Sequence, residues 1–139
     1  MLWYSLLVPA AARVPSLDEL FRALADPTRL RLLNLISEGE ICVCYFVQVL
    51  DAPQPKISRH LAYLRRAGIV NARREGKWMH YGLRWPAESS AANILRATIA
   101  ALKQDKELQR DLHRLNRACC GSQSLVTTLG APVPSLSGR

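Results

Sequence analysis

The patterning of the chain changes from helix-type to strand-type in one segment, between Ile69 and Trp85. β-Branched and aromatic residues in this segment flank Glu75-Gly76. A short glycine-containing turn between two such runs is typical of a β-hairpin. Because helical patterns occupy the sequence on both sides of this segment, we predict a mainly α fold with a β-hairpin.

Helix-start signals stand near the beginning of the chain. Ser16 is followed three residues later by Glu19, a pattern that predicts a first helix from Leu17 to about Ala25. Asp26-Pro27 suits the cap and the first position of a second helix, because proline needs no amide partner there. This second helix should stop near Glu38-Gly39.

Two further helices are predicted before the hairpin. The segment Tyr45–Leu50 is short and apolar; either a buried helical turn or a strand fits it, and we favour a short helix. The segment Gln54–Gly68 is a longer helix that ends at its glycine. Its buried positions recur at i, i+4 and i+7, at Ile57, Leu61 and Leu64. A helix, a short helix, a basic helix and a hairpin in this order predict a winged helix-turn-helix.

Positive charge is concentrated in the segment 54–84. It holds eight cations and one anion, so it carries seven of the eight net positive charges of the 139-residue chain. Each phosphate neutralised by lysine or arginine releases counterions from a polyanion, so the cluster favours DNA over a merely solvated surface. With 49% hydrophobic and 22% charged residues, the chain is neither disordered nor membrane-embedded, and no membrane partner is predicted.

The reading helix of a helix-turn-helix contacts base edges through its N-terminal residues, while flanking cations hold phosphates. His60 either touches a phosphate or is partly packed. The candidate DNA-binding residues on the helix are Gln54, Lys56, Ser58, Arg59 and His60. Those on the hairpin are Arg73, Arg74 and Lys77.

A long helical pattern runs from Pro86 to about Arg117. It predicts a homodimer through terminal helices; for the first half of the pattern, packing on its own domain is an equal alternative. We place the winged-helix domain at residues 16–118, after a flexible arm at residues 1–15. Beyond it, residues 119–139 lose apolar periodicity and predict a disordered tail that starts with a cysteine pair.

The four cysteines form two pairs, Cys42 with Cys44 and Cys119 with Cys120. Side chains at i and i+2 point to opposite sides of a helix but to the same side of an extended chain. Cys42 and Cys44 can therefore share one soft ion if they lie at a helix start, where a thiolate is also favoured. The alternative is that they only pack in the core.

Three segments together resemble the arsenic-operon repressors of the ArsR/SmtB family: Glu40-Ile41-Cys42-Val43-Cys44, Gln54–Leu61 and Gly76–Tyr81. The resemblance covers about residues 17–118. It implies a cytoplasmic, homodimeric winged-helix repressor that binds a palindromic double-stranded operator. It also implies release of that operator when As(III) or Sb(III) binds cysteine thiolates, with no organic cofactor and no enzymatic activity.

One departure from the family pattern concerns the metalloid site. Where the family has a third cysteine, this chain has Val47, and Tyr45 replaces an aspartate. Cys119 or Cys120 would then complete the Cys42/Cys44 site, within one subunit or between two, or form a site of their own. The family's zinc-type site is also incomplete, since Asp111 and His113 are present without a second histidine.

Three other functions remain open. A repressor that senses thiol oxidation would use the same cysteines. A thiol oxidoreductase is weakly supported, because the chain has no C-x-x-C and no βαβ pattern around the thiols. A DNA-binding module without any ligand is the third.

Overall fold

The computed structural model describes residues 15–120 and 125–136. Its elements are α1 (Leu17–Leu24), α2 (Pro27–Ile36), β1 (Gly39–Cys42), α3 (Val43–Leu50), α4 (Gln54–Arg66), β2 (Val70–Glu75), β3 (Trp78–Leu83), α5 (Ser89–Leu102), α6 (Lys106–Cys120), α7 (Leu125–Leu129) and β4 (Ser135–Leu136). The predicted class, mainly α with a β-hairpin, is confirmed. The predicted arm, residues 1–15, lies outside the described residues except for Pro15.

The first helices begin where the sequence predicts, with one difference in capping. The Asp26 carboxylate accepts a hydrogen bond from the Arg29 amide at 3.0 Å, and Pro27 occupies the first position of α2. Ser16 is extended before α1, but its side chain makes no capping bond. Its hydroxyl bonds the Asp18 carboxylate instead, which lowers the pKa of that carboxyl.

A strand that the sequence pattern did not predict precedes α3. β1 pairs antiparallel with β3, with Ile41 opposite Tyr81 and Cys42 opposite His80. Together with the β2–β3 hairpin and β4, it forms a four-stranded sheet in the order β2-β3-β1-β4. The hairpin turn lies at Gly76-Lys77, one residue later than predicted, and Gly76 adopts the positive φ of 58° that the turn requires.

The predicted long terminal helix is wrong as a single element, because it breaks between α5 and α6. The Asp105 carboxylate accepts hydrogen bonds from the amides of Glu107 and Leu108, at 2.9 and 3.3 Å, and so starts a new helix. The second of the two helices, α6, packs against α2 and α3. Leu108 and Leu115 are consequently buried in their own domain. The second half of the apolar stripe therefore packs on its own domain, which was predicted as an alternative for the first half only.

The described part of the predicted disordered tail is folded, so the structure differs from that prediction. Cys119 belongs to α6, and α7 and β4 follow. Ala131 is buried, and the Tyr45 hydroxyl donates to the Pro132 carbonyl at 2.7 Å. Apolar periodicity does not detect such a segment, because it is held by a strand edge and single contacts. Residues 121–124 and 137–139 lie outside the described residues.

The core lies between the helices and the inner face of the sheet. Leu20, Leu32, Tyr45, Phe46 and Leu61 are among its fully buried side chains. Across residues 15–120 and 125–136, the helices are too short or too polar to cross a membrane.

Candidate DNA-binding surface and thiol site

Helix α4 separates a buried face from an exposed one. Ile57, Leu61 and Leu64 have no exposed surface, as their spacing predicts. Burial of these three side chains fixes which residues of the first turns point outward. Of the predicted DNA-binding residues on this helix, Gln54, Lys56 and Arg59 are exposed and Ser58 is half-buried. The structure therefore brings four predicted residues together at the N-terminal end of α4.

The fifth predicted residue of the helix, His60, faces the protein. Its side chain is only 20% exposed, and its Nδ1 lies 3.7 Å from the Asp26 carboxylate. The same nitrogen lies 3.4 Å from a guanidinium nitrogen of Arg29. The sequence left two roles for His60, a phosphate contact or partial packing, and the structure has this side chain partly packed.

The tip of the hairpin presents two exposed cations. Arg74 and Lys77 are exposed, and the Lys77 ammonium lies 5.0 Å from the centre of the Trp78 ring. Neither side chain has a carboxylate partner among the ion pairs of the described residues. Both cations are therefore accessible to an anionic partner.

The third predicted hairpin cation, Arg73, is engaged by two carboxylates. Its Nε donates to both carboxylate oxygens of Glu40 at 3.1 and 3.3 Å, and its Nη2 donates to the same group. Its Nη1 donates to Glu75 at 3.2 Å. Arg73 lowers the pKa of the Glu40 carboxyl. Two negative charges therefore offset the Arg73 charge, which makes it a poorer phosphate ligand than Lys77.

Cys42 and Cys44 meet at the junction of β1 and α3. Cys42 is the extended residue before α3, with φ −70° and ψ 145°, and Cys44 lies in the first turn. The two sulfurs are 3.3 Å apart, with the Cys44 thiol donating to Cys42. The sequence analysis considered the pair at a helix start; in the structure Cys42 lies just before α3 and Cys44 lies within it. Two thiolates on one tetrahedral zinc ion would be roughly 3.8 Å apart at bond lengths of about 2.3 Å, so the pair is nearly spaced for chelation.

The sulfur contact separates the acidities of the two thiols. The hydrogen bond from Cys44 lowers the pKa of Cys42 to about 7, and backbone amides at the start of α3 act in the same direction. The same bond raises the pKa of the Cys44 thiol, because Cys44 supplies the shared proton. Cys42 is therefore the first thiol to ionise and the natural first ligand for a soft ion.

The second cysteine pair lies at the end of α6, the helix that packs against α3. Cys119 is buried near the end of α6, and its thiol lies 3.4 Å from the Asn116 carbonyl. The side chain of Cys120 is outside the described residues. Within the part of the chain that the structure describes, no three histidine, cysteine or acidic side chains are grouped to hold an ion. Completion of the Cys42/Cys44 site by Cys119 therefore stays a prediction that these contacts do not support.

Asp111, the carboxylate of the incomplete zinc-type site, has another role. It accepts bonds from Arg31 Nε and Nη2 at 2.8 and 2.9 Å and from Arg114 at 3.2 Å. Its side chain is 2% exposed. Two arginines thus occupy its oxygens, and it ties α6 to α2.

Comparisons with known proteins agree on one family. The family model described as "Bacterial regulatory protein, arsR family" matches residues 26–72. The arsenical resistance operon repressor of Escherichia coli K12 is 42% identical over 107 residues, which span 76% of this chain and 90% of that protein. The arsenic resistance transcriptional regulator ArsR1 of Pseudomonas putida is 56% identical over 64 residues, 45% of this chain and 50% of that protein.

Solved structures with the same fold include HlyU and the transcriptional repressor BigR. HlyU from Vibrio cholerae is 29% identical with a TM-score of 0.51, and the match covers 60% of this chain and 88% of the HlyU chain. The transcriptional repressor BigR from Xylella fastidiosa is 34% identical with a TM-score of 0.50, and the match covers 60% of this chain and 83% of the BigR chain. The predicted winged helix-turn-helix architecture is confirmed by these likenesses.

Proposed function

The chain belongs to the ArsR family of bacterial regulatory proteins and is a transcriptional repressor of that type, and from this premise we propose a metalloid-responsive function. It binds a palindromic operator as a homodimer in the cytoplasm. It releases the operator when As(III) or Sb(III) is captured by the thiols of Cys42 and Cys44. The observation that carries this proposal is the 3.3 Å contact between these two sulfurs at the start of α3.

The arrangement of α4 and the hairpin supports DNA binding. Gln54 and Lys56 are suited to base edges, because an amide pairs with adenine and an ammonium donates to guanine. The exposed cations Arg74 and Lys77 on the hairpin would hold phosphates of the sugar-phosphate backbone. Regulators of this family bind operator DNA and are not enzymes, and the described contacts supply a surface of the right charge for that role.

The position of the thiols supports coupling to that surface. Cys42 ends β1, which pairs with wing strand β3, and Cys44 begins α3, which packs against α4. A ligand held by both thiols supplies two new bonds across this junction. A change in the backbone between the two cysteines is therefore passed to the wing on one side and to the reading helix on the other. Typical couplings of this kind change affinity about 5- to 150-fold.

The exposed face of α1 supports a homodimer. Leu17 and Phe21 are 58% and 52% exposed, which is unusual for two large apolar residues one turn apart on a helix. A second copy of the chain would cover them. A dimer also fits a palindromic operator, because each subunit reads one half-site.

Measurement of operator release tests the proposal directly. Fluorescence anisotropy of a labelled operator duplex is followed while arsenite, antimonite, methylated arsenite, cadmium or zinc is added to the reduced protein. We expect release by the trivalent metalloids at concentrations where zinc leaves the complex intact. Release by cadmium or zinc alone would assign the site to another ion, and no release by any of them would contradict a ligand-responsive repressor.

Salt dependence tests the surface, because each lost phosphate contact reduces the slope of log K against log salt by about 0.9. Because a homodimer carries Lys77 twice, we expect Lys77→Gln to reduce the slope by about 1.8, which is two contacts of about 0.9 each. Arg73→Gln should change it by less than half as much, since Glu40 and Glu75 already engage Arg73. The two variants remove the same charge from neighbouring positions, so each is the control for the other. A larger effect of Arg73→Gln would show that DNA displaces Glu40.

Thiol oxidation is the second candidate, and the same sulfur contact favours it. Two thiols at 3.3 Å are close enough to be joined as a disulfide once an oxidant has converted one to a sulfenic acid. Operator release by peroxide, reversed by a reductant and not produced by arsenite, antimonite or methylated arsenite, would select this function. Release by metalloids under strictly reducing conditions would exclude it as the primary signal.

A further inference from the structure

Arg29, in the first turn of α2, holds the end of helix α1. Its Nε donates to the Ala23 carbonyl at 2.9 Å, and its Nη2 donates to the Arg22 carbonyl at 2.8 Å. The last carbonyls of a helix lack partners within the helix, and a cation there also meets the negative end of the helix dipole. One guanidinium thus joins the start of α2 to the end of α1.

The same guanidinium lies against α4. Its central carbon is 4.1 Å from the centre of the Tyr63 ring, and its Nη1 is 3.4 Å from Nδ1 of His60. His60 and Tyr63 are three residues apart and therefore lie on one face of α4. A planar guanidinium donates from its edge while its face stacks on an aromatic ring, which a lysine ammonium cannot reproduce.

A second contact supports the same junction. The Asp26 carboxylate caps α2 through the Arg29 amide and also lies 3.7 Å from Nδ1 of His60. The N-terminus of α2 therefore meets α4 through two charged side chains of opposite sign. His60 and Tyr63 lie one turn after Lys56 and Arg59 on the same flank of α4, so these contacts hold the flank that carries two of the candidate DNA-binding side chains.

We propose that Arg29 is a positioning residue for DNA reading, which sets the orientation of α4 relative to α1 and α2 without itself contacting DNA. This inference rests on the proposed DNA-binding function. It also links α1, whose exposed apolar residues Leu17 and Phe21 suit a subunit contact, to the helix that reads bases. The spacing of two subunits and the direction of each reading helix are thereby tied to one side chain.

Specific and non-specific binding respond differently to such a residue. Non-specific affinity depends on charge, whereas specific affinity needs side chains of α4 aligned with base edges. Arg29→Lys keeps the charge but loses the paired hydrogen bonds to the end of α1 and the stacking on Tyr63. We expect operator affinity to fall about tenfold or more, the cost of a misplaced base contact, with non-specific affinity and the salt slope unchanged.

The experiment uses two duplexes: one selected with the wild-type full chain from a random-sequence pool, and a scrambled version of it. Affinities of the wild type, Arg29→Lys and the control Arg22→Lys are measured at four salt concentrations. Arg22 is the matched control, because its guanidinium lies on the surface beside Asp18 at 3.5 Å. Tyr63→Phe and Tyr63→Leu form a second pair: phenylalanine keeps the stacking ring and should retain operator affinity, whereas leucine should lose it.

Each outcome decides the inference. A loss confined to the selected duplex in Arg29→Lys and Tyr63→Leu, with Arg22→Lys and Tyr63→Phe near wild type, supports it. If Arg29→Lys misfolds, as judged by its thermal unfolding, the tyrosine pair carries the test. Wild-type operator affinity in both Arg29→Lys and Tyr63→Leu overturns the inference. An equal loss of affinity on both duplexes with a changed salt slope also overturns it, because Arg29 would then be a phosphate contact. If the wild type itself does not prefer the selected duplex, the proposed function fails first and the inference falls with it.

Discussion

Replacement of Cys42 by serine is expected to abolish metalloid-driven release of the operator while leaving ligand-free operator affinity within about twofold. The wild type should lose about 5- to 150-fold in affinity when the inducer binds, and the variant should lose almost none of that. The reason is chemical: Cys42 is the thiol of lower pKa, at about 7, and a hydroxyl is a hard, poorly ionised group. Anisotropy titrations with and without arsenite measure both quantities.

Two further serine variants sharpen this result. Cys44→Ser should behave like Cys42→Ser, because it leaves one thiol where chelation needs two. Cys119→Ser removes a buried thiol of α6 that takes no part in the contact between Cys42 and Cys44; it is the matched control and should keep the wild-type response. If Cys119→Ser instead loses release while Cys42→Ser keeps it, the sensing thiols lie on α6 and the proposed site is wrong.

Asp111→Asn is expected to lower the free energy of unfolding by about 3 kcal/mol. The carboxylate is buried and holds Arg31 through two bonds, so its loss leaves a partly buried guanidinium without its counter-charge. Removal of one partner of a buried pair costs about 3 to 5 kcal/mol, and the partial exposure of Arg31 favours the lower end. Urea unfolding at one fixed protein concentration measures the effect, because a dimer's stability depends on concentration.

Two comparisons test the cause. Glu107→Gln removes an exposed partner of Arg110 on the same helix and should cost less than about 0.5 kcal/mol. The double variant Arg31→Met/Asp111→Leu should recover most of the stability lost in Asp111→Asn, since a well-packed apolar pair can replace a buried ion pair. Equal stability of Asp111→Asn and Glu107→Gln would show that the pair contributes no more than a surface contact.

The parts of the fold that were predictable rest on local signals. The buried face of α4 follows from the spacing of Ile57, Leu61 and Leu64, and the start of α2 follows from Asp26-Pro27. The thiol contact follows from the i, i+2 spacing once the pair is placed at a helix start. In each case the residues that decide the structure lie within one or two turns of one another.

The parts that were missed depend on distant partners. β1 has four residues and becomes a strand because β3, some forty residues later, offers its edge. From the sequence, Arg73 is one of three equivalent cations of the hairpin. Its partner Glu40 is 33 positions away, so no local pattern shows that Arg73 is already paired. The break before α6 did have a local signal, because Asp105 is a residue type that caps helix starts. The apolar residues before and after it repeat at helical spacing, which favoured one continuous helix in the prediction.

The C-terminal strand has a practical consequence for anyone who would use this chain as a cellular reporter. β4 occupies the edge of β1 at Gly39 and Glu40, where a Cβ on Gly39 would lie 1.7 Å from the Ser135 carbonyl oxygen. A strand edge that loses its cover becomes a template for another chain and a route to aggregation. A fluorescent fusion at the C-terminus that displaces β4 would therefore expose the edge of the strand that carries Cys42.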